Sequence, residues 1–197
     1  TEPGSTFKLA SMIALFESNK KIKLTDSIDT GNGRFKFYNS DMTDAKYGGY
    51  GKLSVQQVFE KSSNIGVSKL IDANFKSNPQ RFIDYLYDMG MNDSLGFQID
   101  GEAIPYIKTP KDKSWSGISL PWMSIGYELQ IAPIHTLALY NAVANNGVKI
   151  QPIIVKETRF ADQTIESYKT EVINKKICSD QTLVKLRKML EGVVVNG

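Results

Sequence analysis

Pro3-Gly4-Ser5-Thr6-Phe7-Lys8-Leu9-Ala10-Ser11-Met12-Ile13-Ala14-Leu15-Phe16 is the stretch on which the fold turns. Ser5 to Phe16 is rich in helix formers, and Phe7, Leu9, Ala10, Met12, Ile13, Leu15 and Phe16 leave it almost no polar face. Such a helix belongs inside a domain. Pro3-Gly4 is a turn signal ahead of it, and Ser5 or Thr6 is the expected N-cap. The exposed amide end of a buried helix should therefore sit near Ser5, with Lys8 one turn further in.

The rest of the chain can supply the core that such a helix needs. Of its 197 residues 41% are hydrophobic and 23% charged, the profile of a globular chain able to bury a real core. Lys and Arg number 24 against 21 Asp and Glu, and the signs interleave, so a nucleic-acid partner gets no support. One cysteine, Cys178, and one histidine, His135, exclude an intrachain disulfide and a Cys/His zinc site. Neither a metal nor an organic cofactor is expected. There is no apolar run of about 18 residues and no initial Met, so the chain reads as an excised piece without targeting information of its own.

Working outward, Thr30 to Tyr50 alternates turn residues with aromatics and reads as a hairpin or irregular loop. Ser54 with Gln57 is a capping box that opens a short helix, and a second helix starts near Asn64, placing Ser62-Ser63-Asn64 at a helix-to-helix junction. Pro79 and Pro133 each mark a first helical turn, with Gly90 and Gly147 as stops. Met91 to Pro121 reads as loop. Ile150–Phe160 and Thr164–Ile173 form a β-branched hairpin around Asp162-Gln163, and Ser179-Asp180 opens a last helix. Helices first and strands late is an α+β pattern.

Two groups carry chemistry. Ser5 and Lys8, three apart at a helix start, share a face, so an amine could take the hydroxyl proton. The pattern alone is weak, because a chain of this size holds about one such match by chance and Ser18-x-x-Lys21 is another. A helix cap and a snorkelling surface amine are the bland alternatives. Context separates the two matches: Lys8 sits in the most apolar helix, where burial lowers a lysine pKa, and Ser18 lies at its polar end. An unperturbed lysine is only about 0.04% neutral at pH 7, whereas one tuned to ~7–8 is roughly 10–50% available as a base. Ser62-x-Asn64 is the second group, and an isolated match is usually a plain cap.

Ser-x-x-Lys followed by Ser-x-Asn is the order found in penicillin-binding proteins and serine β-lactamases. The chain more closely resembles a class B penicillin-binding protein transpeptidase domain, division-type rather than elongation-type. The successive landmarks are Glu2-Pro3-Gly4-Ser5-Thr6-Phe7-Lys8, Asp29-Thr30-Gly31-Asn32-Gly33, Ser62-Ser63-Asn64, Ser124-Ile125-Gly126-Tyr127 and Ala142-Val143-Ala144-Asn145-Asn146-Gly147. The resemblance implies the transpeptidase α+β fold, its helical part and part of its antiparallel sheet. It also implies that Ser5 is the acylated nucleophile, Lys8 its proton acceptor, and Ser62 with Asn64 the groups that relay the proton and hold the substrate amide. The expected partners are peptidoglycan stem peptides, β-lactams, a membrane glycosyltransferase and division proteins. The expected place is the periplasmic face of the bacterial inner membrane, with a pedestal and N-terminal anchor outside this chain.

One family landmark does not occur. There is no Lys-Thr-Gly or Lys-Ser-Gly, and Lys169-Thr170-Glu171 lacks the glycine. In the family that strand follows a segment like Met189 to Val194, so residues 1–197 are read as a partial domain. Loss of one oxyanion donor typically costs about 10²–10³ in rate, which brings the activity of these residues alone into question. A β-lactam sensor domain and a catalytically degenerate scaffold are the alternatives. A β-lactamase is disfavoured because Glu-x-x-Leu-Asn does not occur. His135 is read as structural or exposed, Cys178 as a small buried or semi-buried residue, and the aromatics Tyr47, Tyr50, Trp115, Trp122 and Tyr127 are given no role.

Overall fold

The apolar stretch becomes the centre of the molecule. In the computed structural model, which describes residues 1–98 and 100–197, a 3-10 turn at Gly4–Phe7 runs directly into α1 (Lys8–Ser18). Every residue from Lys8 to Phe16 is buried. The turn is not entered through a hydroxyl cap: Pro3 holds the cap position without a side-chain bond, and Thr6 Oγ1 donates to Pro3 O at 2.9 Å. The entry bend is instead made by Gly4 at φ +58°, a backbone region that glycine enters without penalty.

Six helices surround α1 or extend its core: α2 (Val55–Glu60), α3 (Asn64–Phe75), α4 (Pro79–Asp88), α5 (Ser119–Met123), α6 (Pro133–Ala144) and α7 (Asp180–Asn196). The α2 capping box forms as expected, Gln57 N donating to Ser54 Oγ and Ser54 N to Gln57 Oε1. Both prolines stand at the first helical positions, where a missing N–H costs nothing. α1 packs against α3, α4 and α7, and α2 packs against α7.

All strands lie in two-stranded antiparallel ribbons among the described residues. They are β1 (Ser27–Asp29), β2 (Arg34–Phe37), β3 (Ser40–Thr43), β4 (Lys52–Ser54), β5 (Tyr106–Ile107), β6 (Leu129–Gln130), β7 (Lys149–Ile150), β8 (Glu157–Phe160), β9 (Gln163–Ser167) and β10 (Val172–Asn174). β1 pairs with β4 and encloses the β2–β3 hairpin; β5 pairs with β6. The late strands are a nested ribbon rather than one hairpin: β8–β9, turning at Ala161, φ +51°, lie in the chain inside a β7–β10 pair. Among the described residues, Met91 to Pro121 is largely irregular, as expected, but β5 and the start of α5 lie within it.

One close approach fixes the loops near β3. The turn Gly31-Asn32-Gly33 lies against Gly48-Gly49 so tightly that a Cβ on Gly49 would sit 2.1 Å from Gly33 N. Asp44 N donates to Gly33 O at 3.0 Å, which ties the end of β3 to that turn.

Candidate active site

Ser5 and Lys8 sit on successive positions of one face of the 3-10 turn, because three residues complete a turn of that helix. Lys8 N donates to Ser5 O. Ser5 is exposed, and among the described residues its Oγ has no hydrogen-bond partner. From α6, Tyr140 Oη donates to Thr6 O at 3.2 Å and braces the turn from outside.

Lys8 is 1% exposed and its ammonium has a single destination. Nζ donates to Ser62 O at 2.6 Å, to Ser62 Oγ at 2.9 Å and to Asn64 Oδ1 at 2.7 Å. Three donors thus meet three acceptors from one turn, 54 to 56 residues away. Burial lowers Lys8 from the ordinary lysine value to about 8, against the opposing charge of Asp44.

The turn that receives Lys8 joins α2 to α3. Ser62 takes φ +52°, a left-handed conformation that costs a non-glycine residue about 1–2 kcal/mol. Ser63 N donates to Val58 O, and Ser63 Oγ accepts from Gly66 N at 2.9 Å as the cap of α3. Asn64 Nδ2 donates to Thr43 O at 2.9 Å, so its amide is oriented with Oδ1 toward Lys8. Asp44, next in the chain, accepts from Ser63 Oγ at 2.9 Å and from Ile65 N at 3.1 Å.

Ser124-Ile125-Gly126-Tyr127 supports the other side. Ser124 is buried: its carbonyl accepts from Ser11 Oγ of α1 at 2.7 Å, and its hydroxyl is 3.0 Å from that of Ser68 in α3. Gly126, at φ +91°, lies against the entry to the 3-10 turn, with Gly4 N donating to Gly126 O at 3.2 Å.

The structure therefore joins Lys8, Ser62 and Asn64 directly, whereas Ser5, one 3-10 turn before Lys8, has no hydroxyl hydrogen bond among the described residues. Sequence reasoning missed Asp44 and Thr43, which carry no local pattern because their partners lie 19 to 21 residues on. It named the Ser124 landmark without a task; the glycine in a Ser-Ile-Gly-Tyr loop was the available signal. His135 is structural and buried, its Nε2 3.3 Å from Asp93 O and its pKa lowered by burial. Cys178 is buried as expected. Among the described residues no group of three or more His, Cys, Asp and Glu side chains is arranged to hold a metal ion.

Comparison with known proteins identifies the family. The family model described as penicillin binding protein transpeptidase domain matches residues 1–197. The chain is 30% identical over 194 residues to penicillin-binding protein PbpB of Mycolicibacterium smegmatis, covering 98% of this chain and 28% of that protein. It is 30% identical over 157 residues to peptidoglycan D,D-transpeptidase FtsI of Buchnera aphidicola, covering 79% of this chain and 26% of the relative. The crystal structure of penicillin-binding protein 3 from Mycobacterium tuberculosis complexed with aztreonam superposes with a TM-score of 0.80 at 27% identity, over 98% of this chain and 42% of that one. The chain thus spans well under half the length of these relatives. With a buried lysine held by a Ser-x-Asn turn and a family match from the first residue to the last, this chain belongs to the penicillin-binding protein transpeptidase domain family.

Proposed function

We propose that this chain carries the nucleophile half of a peptidoglycan D,D-transpeptidase site that works through an acyl-enzyme on Ser5. The observation that carries the reading is the three-bond seat of the buried Lys8 ammonium on Ser62 and Asn64. As an ammonium, Lys8 spends all three N–H groups on that turn and has no lone pair. Once neutral it keeps two donors and gains an acceptor site. Ser62 Oγ is the one partner of the three that owns a proton, so it alone can reverse its bond and donate back.

The roles follow. Lys8, at about 8 through burial, takes the Ser5 proton as Ser5 Oγ attacks the carbonyl of a terminal D-Ala-D-Ala bond. The C–N bond breaks, the leaving amine of D-Ala receives a proton through Ser62, and the substrate stays on Ser5 as an ester. The amine of a second stem peptide then attacks the ester, forming the cross-link and returning the proton to Ser5. Asn64 holds the substrate amide. β-Lactams acylate the same hydroxyl, and the β-lactam-bound relative supports that part of the reading. The reaction belongs to the periplasmic face of the inner membrane, where a glycosyltransferase and division proteins supply the glycan and the place; FtsI among the relatives supports the division setting.

The test is intact-mass spectrometry of the full-length protein after benzylpenicillin. One stable adduct, lost in Ser5→Ala with an unchanged thermal midpoint, is the expected result. An adduct that survives Ser5→Ala rejects the assignment. Release of D-Ala from a stem peptide separates a transpeptidase from a sensor domain, which acylates without turnover.

A further inference from the structure

We propose that Asp44 is a positioning residue of this site: it holds the Ser62–Asn64 turn in the form that faces Lys8 and, from its bond to Ser63, brings a negative charge behind that turn. The proposal rests on the acyl-enzyme reading above.

Three bonds from two consecutive residues clamp the turn. Thr43 O receives Asn64 Nδ2, Asp44 Oδ2 receives Ser63 Oγ, and Asp44 Oδ1 receives Ile65 N. The clamp fixes the three residues that follow Ser62, whose positive φ persists only where its neighbours over-determine it. Removing the carboxylate would leave Ile65 N, a buried donor at the start of α3, without a partner, which is unfavourable away from water. A carboxylate at a helix amide end is also favourably placed against the helix dipole.

Asp44 is itself fixed from behind. It is buried, and its own N–H is tied to Gly33 O, within the glycine contact that admits no side chain. The groups facing Lys8 are thus Ser62 and Asn64 from the turn and, as the charged side chain whose field reaches it, Asp44 from the loop after β3. A charge that opposes the burial of Lys8 makes the ammonium tolerable between turnovers, whereas the hydrogen bonds keep its acceptors in place.

The experiment measures benzylpenicillin acylation of the full-length protein from pH 6 to 10 for wild type, Asp44→Asn, Asp44→Ala and Ser5→Ala, each with a thermal midpoint. Asp44→Asn preserves shape and an acceptor for Ile65 N while removing the charge, so the midpoint of its pH profile should move below that of wild type. Asp44→Ala should lower the plateau rate about 10²-fold, the scale of a misplacement of about 1 Å. An unmoved midpoint in Asp44→Asn overturns the proposal, as does a wild-type plateau in a folded Asp44→Ala. Where Asp44→Ala does not fold, the Asp44→Asn midpoint decides. In each of these cases absence of labelling in Ser5→Ala leaves the acyl-enzyme reading standing; labelling in Ser5→Ala rejects that reading and the Asp44 proposal with it.

Discussion

Gly126 presses on Gly4: a Cβ placed on Gly126 would lie 2.1 Å from Gly4 O and 2.7 Å from Gly4 N. Both neighbours are backbone, so the clash cannot be relieved by turning a side chain. Gly126→Ala must push the turn that begins at Gly4 and carries Ser5, and it must also place alanine at φ +91°. We expect a loss of roughly 2–4 kcal/mol in stability and of at least about 10²-fold in penicillin acylation. A variant with wild-type denaturant midpoint and acylation rate would show that Gly126 does not set the position of Ser5.

Lys8 gives the site a pH dependence. With its pKa lowered to about 8 by burial, it is about 1% neutral at pH 6 and about half neutral at pH 8, so acylation should rise roughly fiftyfold over that span and then level off. Lys8→Met should remove the dependence and slow acylation about 10²–10⁴-fold. A flat wild-type profile would be inconsistent with Lys8 as base.

The same burial ties Lys8 to stability. Between about 8 and 10.5 the unfolded chain still binds the proton that folded Lys8 has lost, so the unfolded state binds more protons and stability rises with pH. Below about 8 the cost of burying the ammonium is fully present. Relative to Lys8→Met, the wild type should therefore gain stability across that window, measured by urea unfolding at pH 7 and pH 10. A constant difference would contradict the burial of a charged amine.

Ser62 separates strain from chemistry. At φ +52° it should prefer glycine to alanine, so Ser62→Gly should be more stable than Ser62→Ala by about 1 kcal/mol. Both lose the hydroxyl bonded to Lys8 and should acylate equally slowly. Equal stabilities would mean that the turn relaxes in the variants.

Cys178 lies in the wall of a cavity of about 340 Å³ with Ile13, Tyr85 and Met89, and burial pushes its thiol up to about 12. It should resist iodoacetamide at pH 8 in the folded protein and react once urea unfolds it. Rapid native-state alkylation would place the thiol at the surface.

The helices other than α5, the capping box at Ser54, the proline starts at Pro79 and Pro133 and the junction at Ser62-Ser63-Asn64 were legible because each is written in residues within one turn of one another; α5 (Ser119–Met123), only five residues long, was not. So was the apolar run through α1, whose lack of a polar face required burial of Lys8. The entry to that helix was not legible as a 3-10 turn, because Gly4 takes its φ from contact with Gly126, 122 positions away in the chain. The late strands were read as one hairpin because pairing of β7 with β10 depends on register across the inner ribbon, not on local alternation.

For the site, the residue types at Ser5, Lys8, Ser62 and Asn64 sufficed to name candidates, and the longer landmarks around and between them to name a family. Which atoms meet was decided by tertiary packing alone. Burial lowers the Lys8 amine, the 62–64 turn offers it three acceptors, and Asp44 holds that turn, all through contacts that span 19 to 56 residues. A sequence specifies the groups that can donate, accept and ionise; their distances and their exclusion from water exist only once separate segments pack together.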